Sequence, residues 1–124
     1  MQKTILLIED ENDLAAATMF YLQQLGYVVH HCETGSEGLL RLQSQKWDIL
    51  LLDWMLPDIS GIEILQRISN YSPDLVFMLS ARDSPADRKH ALLAGADFYI
   101  AKPFSLRTLQ KQLVQAFEQP NIAM

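Results

Sequence analysis

Cysteine is nearly absent from this chain: Cys32 is the only one in 124 residues. It can form neither an internal disulfide nor a cysteine-based zinc site, which fits a reducing compartment. No apolar run approaches the roughly 20 residues that a membrane-spanning helix needs. The start shows no basic region leading into an apolar stretch and a small-residue cleavage site. Together these absences predict a cytoplasmic protein. Positive charge is also short, with 10 Lys and Arg against 15 Asp and Glu and a formal net charge of −5. That balance argues against a dedicated nucleic-acid surface. Six of the ten basic residues lie from Arg82 onward; the C-terminal third could present a modestly cationic face, but ordinary solvated helix surface is the favoured reading of that clustering. The five glycines form neither a dinucleotide loop nor a nucleoside-triphosphate loop.

What is present is an ordinary globular composition, 49% hydrophobic and 20% charged, in a length that suits one domain with a real core. Thr4 to Ile8 reads as an apolar strand. A helix follows, capped by Asn12 or Asp13, carrying Leu14, Ala17, Thr18, Tyr21, Leu22 and Leu25, and stopped by Gly26. Tyr27 to His31 is a second strand. Thr34-Gly35-Ser36 opens a second helix with Leu39, Leu40 and Leu42 as its apolar residues. Ile49 to Leu52 is a third strand and Gly61 to Ile68 a third helix. Pro73 closes the next loop before a fourth strand, Leu75 to Leu79. Ser84, Pro85 and Asp87 mark a helix start that runs to Gly95. Phe98 to Ala101 is a short fifth strand. Ser105 caps a last helix with Leu106, Leu109, Leu113, Val114 and Phe117 facing inward, ended by Pro120. Five strand-helix alternations without a linker or repeat predict an α/β fold, a five-stranded parallel sheet with helices on both faces.

Chemistry concentrates at strand ends. The run Ile49 to Leu52 suits a strand buried on both faces, and Asp53 sits where it leaves the sheet, the edge at which open α/β sheets bind ligands. An Asp after a strand is most often a cap or turn residue. Two other strand ends raise Asp53 above that reading: the first delivers Glu9 and Asp10, and the fifth delivers Lys102. The fourth ends in the hydroxyl of Ser80. Three carboxylates in one cleft repel one another, and a hard cation resolves the repulsion. Magnesium suits carboxylates while keeping positions for water and phosphate oxygens. One carboxylate can then act as nucleophile toward a phosphoryl group, with Lys102 and Ser80 addressing the transferring oxygens.

The segments Ile8-Glu9-Asp10, Leu52-Asp53-Trp54-Met55-Leu56-Pro57 with Gly61, Leu79-Ser80-Ala81 and Gly95 through Phe104 resemble, in order and spacing, a response-regulator receiver domain. The resemblance covers essentially the whole chain, residues 1–124, as a single receiver domain. It implies a (βα)5 flavodoxin-like fold and a two-component signal-transduction or phosphorelay role. Asp53 would be the phosphoacceptor, taking its phosphoryl group from a phosphohistidine on a sensor histidine kinase or phosphotransfer protein. Such a phosphoprotein is a signalling element rather than an enzyme, one that assists its own phosphorylation and dephosphorylation. Magnesium (Mg2+) would be held by Glu9, Asp10, Asp53 and the backbone carbonyl of Met55, with Lys102 on the phosphoryl group and a cis bond before Pro103. Ser80 and Tyr99 would form the switch, repacking the surface of the fourth helix, fifth strand and fifth helix for partner binding or a homodimer.

Gly95 to Phe104 is similar to the winged-helix branch that regulates transcription. That branch usually has a second acid where Phe98 stands, and an acid and an arginine near Thr108 and Gln112. Any dimer is therefore expected to lack the branch's salt-bridge network, and an exposed Phe98 would favour an apolar contact instead. No effector domain follows Pro120, which predicts a stand-alone receiver or one cut from a longer regulator. Nucleic acid would be reached only through an effector domain absent from this chain.

Competing functions fit less well. Aspartyl-phosphate hydrolases resembling the haloacid-dehalogenase family need a second Asp where Met55 stands, and a thioether cannot donate a proton. A flavin module would need a neutral phosphate loop where Glu9-Asp10-Glu11 would repel one. His30-His31-Cys32 alternate in direction along a strand, so the imidazoles cannot easily share an ion; they read as surface, as does His90. Trp47 reads as packing, and Trp54 as a reporter of the site.

Overall fold

The computed structural model describes residues 2–68 and 72–118. Five strands and five helices alternate along it: β1 (Thr4–Ile8), α1 (Asn12–Gln24), β2 (Val28–Cys32), α2 (Gly35–Ser44), β3 (Ile49–Asp53), α3 (Gly61–Arg67), β4 (Leu75–Ser80), α4 (Pro85–Ala94), β5 (Phe98–Ala101) and α5 (Leu106–Glu118). Pro120, read as the end of the last helix, lies outside the described residues. All strand pairs are parallel, in the order β2-β1-β3-β4-β5. β1 and β3 are therefore neighbours, as a doubly wound sheet requires.

The strands are two-sided because both faces are covered. Leu6, Ile8, Leu50, Leu52 and Met78 pack against α2, α3 and α4. Their alternates Ile5, Leu7, Ile49, Leu51 and Phe77 pack against Leu22 of α1 and Leu109 and Leu113 of α5. Each such side chain, fully buried, contributes about 1.5–3 kcal/mol of transfer free energy. The helix starts follow their caps: the hydroxyls of Thr34, Ser60 and Ser84 accept from Glu37, Ile62 and Asp87 amides, and Ser105 Oγ accepts from the Thr108 amide at 3.0 Å. Gly95 ends α4 at φ 124, a conformation open to glycine at little cost.

Several local expectations differ from the structure. α1 begins after Glu11, which makes no side-chain cap, rather than after a capping Asn12 or Asp13. Ala15 rather than Ala17 faces the sheet, and Leu25 and Leu40 are exposed, as are Val114 and Phe117. Apolar spacing marks a helix without fixing which of its apolar residues meet the core. Cys32 is buried instead of lying on the surface, because it ends β2 facing the α2 side. Phe98 is half-buried and stacks on Phe77 at 4.7 Å, so it does not present the open apolar contact expected of it.

Candidate functional site

Parallel strands in register end together, and this brings the charged groups to one rim. Ile8 pairs with Leu52, so Glu9 and Asp53 are the next residues on neighbouring strands. Ser80 pairs with Ala101, one residue before Lys102. One carboxylate oxygen from each of Glu9, Asp10 and Asp53 lies within 4.8 Å of the others. Glu9 is only 1% exposed and Asp53 4%, while Asp10 opens to solvent. Lys102 Nζ stands 2.6 Å from Glu9 Oε1 and 3.4 Å from Asp53 Oδ2.

The surrounding backbone orders these groups. The Met55 amide donates to Asp53 Oδ1 at 3.2 Å. The Glu11 amide donates to Glu9 Oε2 at 3.1 Å. Gly61 closes the loop, its amide donating to the Trp54 carbonyl at 2.8 Å. A Cβ there would stand 2.6 Å from the carbonyl oxygen of Asp53, so a side chain at residue 61 would displace the strand end that carries the acid.

Electrostatics make the cluster unusual. Burial pushes the Asp53 carboxyl up, and the hydrogen bond and charge of Glu9 push it further, to about 7, against the opposing pull of Lys102 and the Met55 amide. Burial opposes the charge of Lys102, yet its bond to Glu9 and the charges of Asp53 and Glu9 outweigh that and raise it. One ammonium among three carboxylates leaves a net negative cleft, the condition that a cation relieves. An all-oxygen donor set of this kind fits a hard divalent ion.

Ser80 and Tyr99 both reach the backbone of Arg82, in the loop after β4. Ser80 is fully buried and its Oγ accepts from the Arg82 amide at 3.0 Å, while the half-buried Tyr99 donates its hydroxyl to the Arg82 carbonyl. The Arg82 guanidinium lies 4.8 Å from the centre of the Trp54 ring, and Tyr99 and His90 approach that ring edge-on at 6.3 and 5.6 Å. Trp54 is buried beside Asp53. Met55 reaches the site through its backbone amide, the residue as a whole being 60% exposed. The Lys102-Pro103 bond is cis. A cavity of about 340 Å³, lined by Glu11, Leu14, Ala81, Lys102, Pro103 and Phe104, adjoins the cluster on the Lys102 side.

Sequence reasoning missed two supporting residues. His31, read as surface, is half-buried, and its Nε2 donates to the Glu9 carbonyl at 2.7 Å. Asp58 accepts from the start of α2. Strand parity gives a signal for His31 once the order of the strands is known; nothing in local sequence signals Asp58.

Comparison with known proteins is consistent with this geometry. The family described as response regulator receiver domain matches residues 5–114. The chain is 38% identical over 128 residues to the transcriptional regulatory protein CreB of Escherichia coli (strain K12), covering 97% of this chain and 56% of that protein. The chain spans about half the length of the curated relatives it matches. Among solved structures, a CheY-like receiver domain protein from Methanospirillum hungatei JF-1 superposes with a TM-score of 0.88 at 29% identity, covering 96% of both chains. A response regulator protein from Burkholderia pseudomallei, whose structure holds a phosphorylated aspartic acid, a calcium ion and citrate, superposes at 0.80 with 26% identity, covering 96% of this chain and 76% of that one. With a family match spanning most of its length and a relative 38% identical across 97% of it, this chain belongs to the response regulator receiver domain family of two-component signalling.

Proposed function

We propose that this chain is a cytoplasmic phosphoacceptor that takes a phosphoryl group onto Asp53 from a phosphohistidine of a sensor kinase or phosphotransfer protein. The observation that carries the reading is a buried acid, Asp53, held beside two more carboxylates and one ammonium at the rim of the sheet. Glu9, Asp10, Asp53 and the Met55 carbonyl are the groups that would hold Mg2+. A bound divalent ion supplies charge neutralisation for the crowded oxygens.

In the transfer, an Asp53 oxygen attacks phosphorus, the phosphorus–nitrogen bond to the donor imidazole breaks, and the imidazole keeps the electron pair. Lys102, near both Glu9 and Asp53, stabilises charge on the transferring oxygens as a point donor. The 340 Å³ cavity beside Lys102 offers room for the donor's side chain. The same groups assist later attack by water, so the chain promotes its own dephosphorylation. Ser80 and Tyr99 form the switch: both contact Arg82, and new negative charge at Asp53 draws the Ser80 hydroxyl toward it. The surface of α4, β5 and α5 then shifts its population of states, for partner binding or dimerisation.

Trp54 gives a direct test. Beryllofluoride with Mg2+, a phosphoryl mimic, is expected to change tryptophan fluorescence in the wild type and leave Asp53→Asn unchanged. An identical response in both proteins would remove Asp53 from the site.

A further inference from the structure

We propose that Asp58 is a positioning residue for the divalent-ion site, holding the loop between β3 and α3 in place by capping α2 from outside. The inference rests on the divalent-ion reading given above. A helix leaves its first amides without partners, and a residue just before the helix usually satisfies them. In α2 that work is divided. Thr34 takes the Glu37 amide, at 3.2 Å. The Gly35 amide donates to Asp58 Oδ1 at 2.8 Å, and the Ser36 amide and hydroxyl donate to Asp58 Oδ2 at 2.8 and 2.5 Å. A carboxylate at a helix amino terminus is also favoured by the helix dipole.

The consequence lies at the other end of the loop. Asp58 stands five residues after Asp53 and three before Gly61, in the segment that carries Met55. Next to it, Ile59 fills the space over Gly35, where a Cβ would stand 2.4 Å from Ile59 Cγ1. Among the described residues the loop is thus held by hydrogen bonds at Asp53–Met55, at Gly61–Trp54 and, between them, at this bracket, beside the packing of Leu56 and Ile59 against the core. Without the bracket, the exposed Pro57-Asp58 stretch is free to shift, and with it the Met55 carbonyl that the divalent-ion reading assigns to the acidic cluster. Groups hydrogen-bonded directly to ion ligands typically change affinity by 10- to 100-fold; Asp58 acts one step further out, through the loop, so its effect belongs at the lower end.

The test is an Mg2+ titration followed by tryptophan fluorescence, with three variants and far-UV circular dichroism as a check on folding. Asp58→Ala is expected to weaken Mg2+ binding about tenfold. Thr34→Ala, which removes the helix's own cap and not the bracket, is expected to bind Mg2+ like the wild type. By reciprocity of coupled sites, saturating Mg2+ is expected to slow amide exchange of Gly35 and Ser36. Equal Mg2+ affinity in wild type and Asp58→Ala overturns the proposal, as does an equal loss in Thr34→Ala. If Asp58→Ala does not fold, Ser36→Ala must weaken binding measurably, and wild-type affinity there overturns the proposal. A wild type that ignores Mg2+ altogether instead overturns the divalent-ion reading on which the bracket depends.

Discussion

Strand β3 has an aspartate at each end, and the two live in opposite circumstances. Asp48, just before the strand, accepts from the Thr4 amide at 2.7 Å and the Thr4 hydroxyl at 3.2 Å. Its own amide donates to Thr4 Oγ1 at 3.1 Å, so it pins β1 to β3. Asp53, closing the strand, has one long amide bond and a lysine at 3.4 Å, and it shares its burial with a second carboxylate. An acid whose lone pairs are met by backbone donors is architecture. A buried acid crowded by its own kind costs stability and persists where function needs it.

The largest expected effect comes from removing Lys102, which among the described residues is the cation paired with the crowded end. Lys102→Ala should destabilise the protein without divalent ions by about 3 kcal/mol or more, since it leaves buried carboxylates unpaired. Urea denaturation would read this, and excess Mg2+ should recover much of the loss. A neutral substitution would mean that the cluster is less strained than the geometry implies.

Next comes the acid itself. The folded state holds the Asp53 proton up to about pH 7, whereas an unfolded aspartate releases it near pH 3.9. Between those values the unfolded chain is the more ionised state, so stability falls as pH rises, and above about 7 the whole penalty is present. Asp53→Asn should therefore stabilise the divalent-free protein by about 1–3 kcal/mol at pH 8. The gain should fade as pH falls from 7 and vanish near pH 4. Thermal melts across pH would show it, and a pH-independent gain would break the contrast. At the other end of the strand, Asp48→Ala should cost about 1–2 kcal/mol for its lost hydrogen bonds, equally with and without Mg2+.

Much of this is legible in the sequence. The runs at Ile49–Leu52 and Leu75–Leu79, the helix opening at Thr34-Gly35-Ser36 and the caps at Ser84 and Ser105 mark elements because burial on both faces and orphan amides impose those residue types. The acids, Ser80 and Lys102 were legible because each directly follows or ends a strand, and parallel strands finish at a common rim. The Asp58 bracket was not, since it joins a loop to a helix start 22 residues earlier and leaves no period or spacing behind. Nor was the stack of Phe98 on Phe77, which depends on the neighbouring strand's register rather than on anything near residue 98. Which way a helix turns its Leu residues, as at Leu25 and Leu40, is settled by packing over the sheet and not by spacing alone.

The central claim is that the crowded acid at the end of β3 accepts phosphorus with the help of a divalent ion. Incubation with acetyl phosphate and Mg2+, followed by intact-mass measurement, tests it most directly. The account predicts one added phosphoryl group in the wild type, none in Asp53→Ala, and none when Mg2+ is withheld by a chelator. An unmodified wild type, or equal modification of Asp53→Ala, would contradict it.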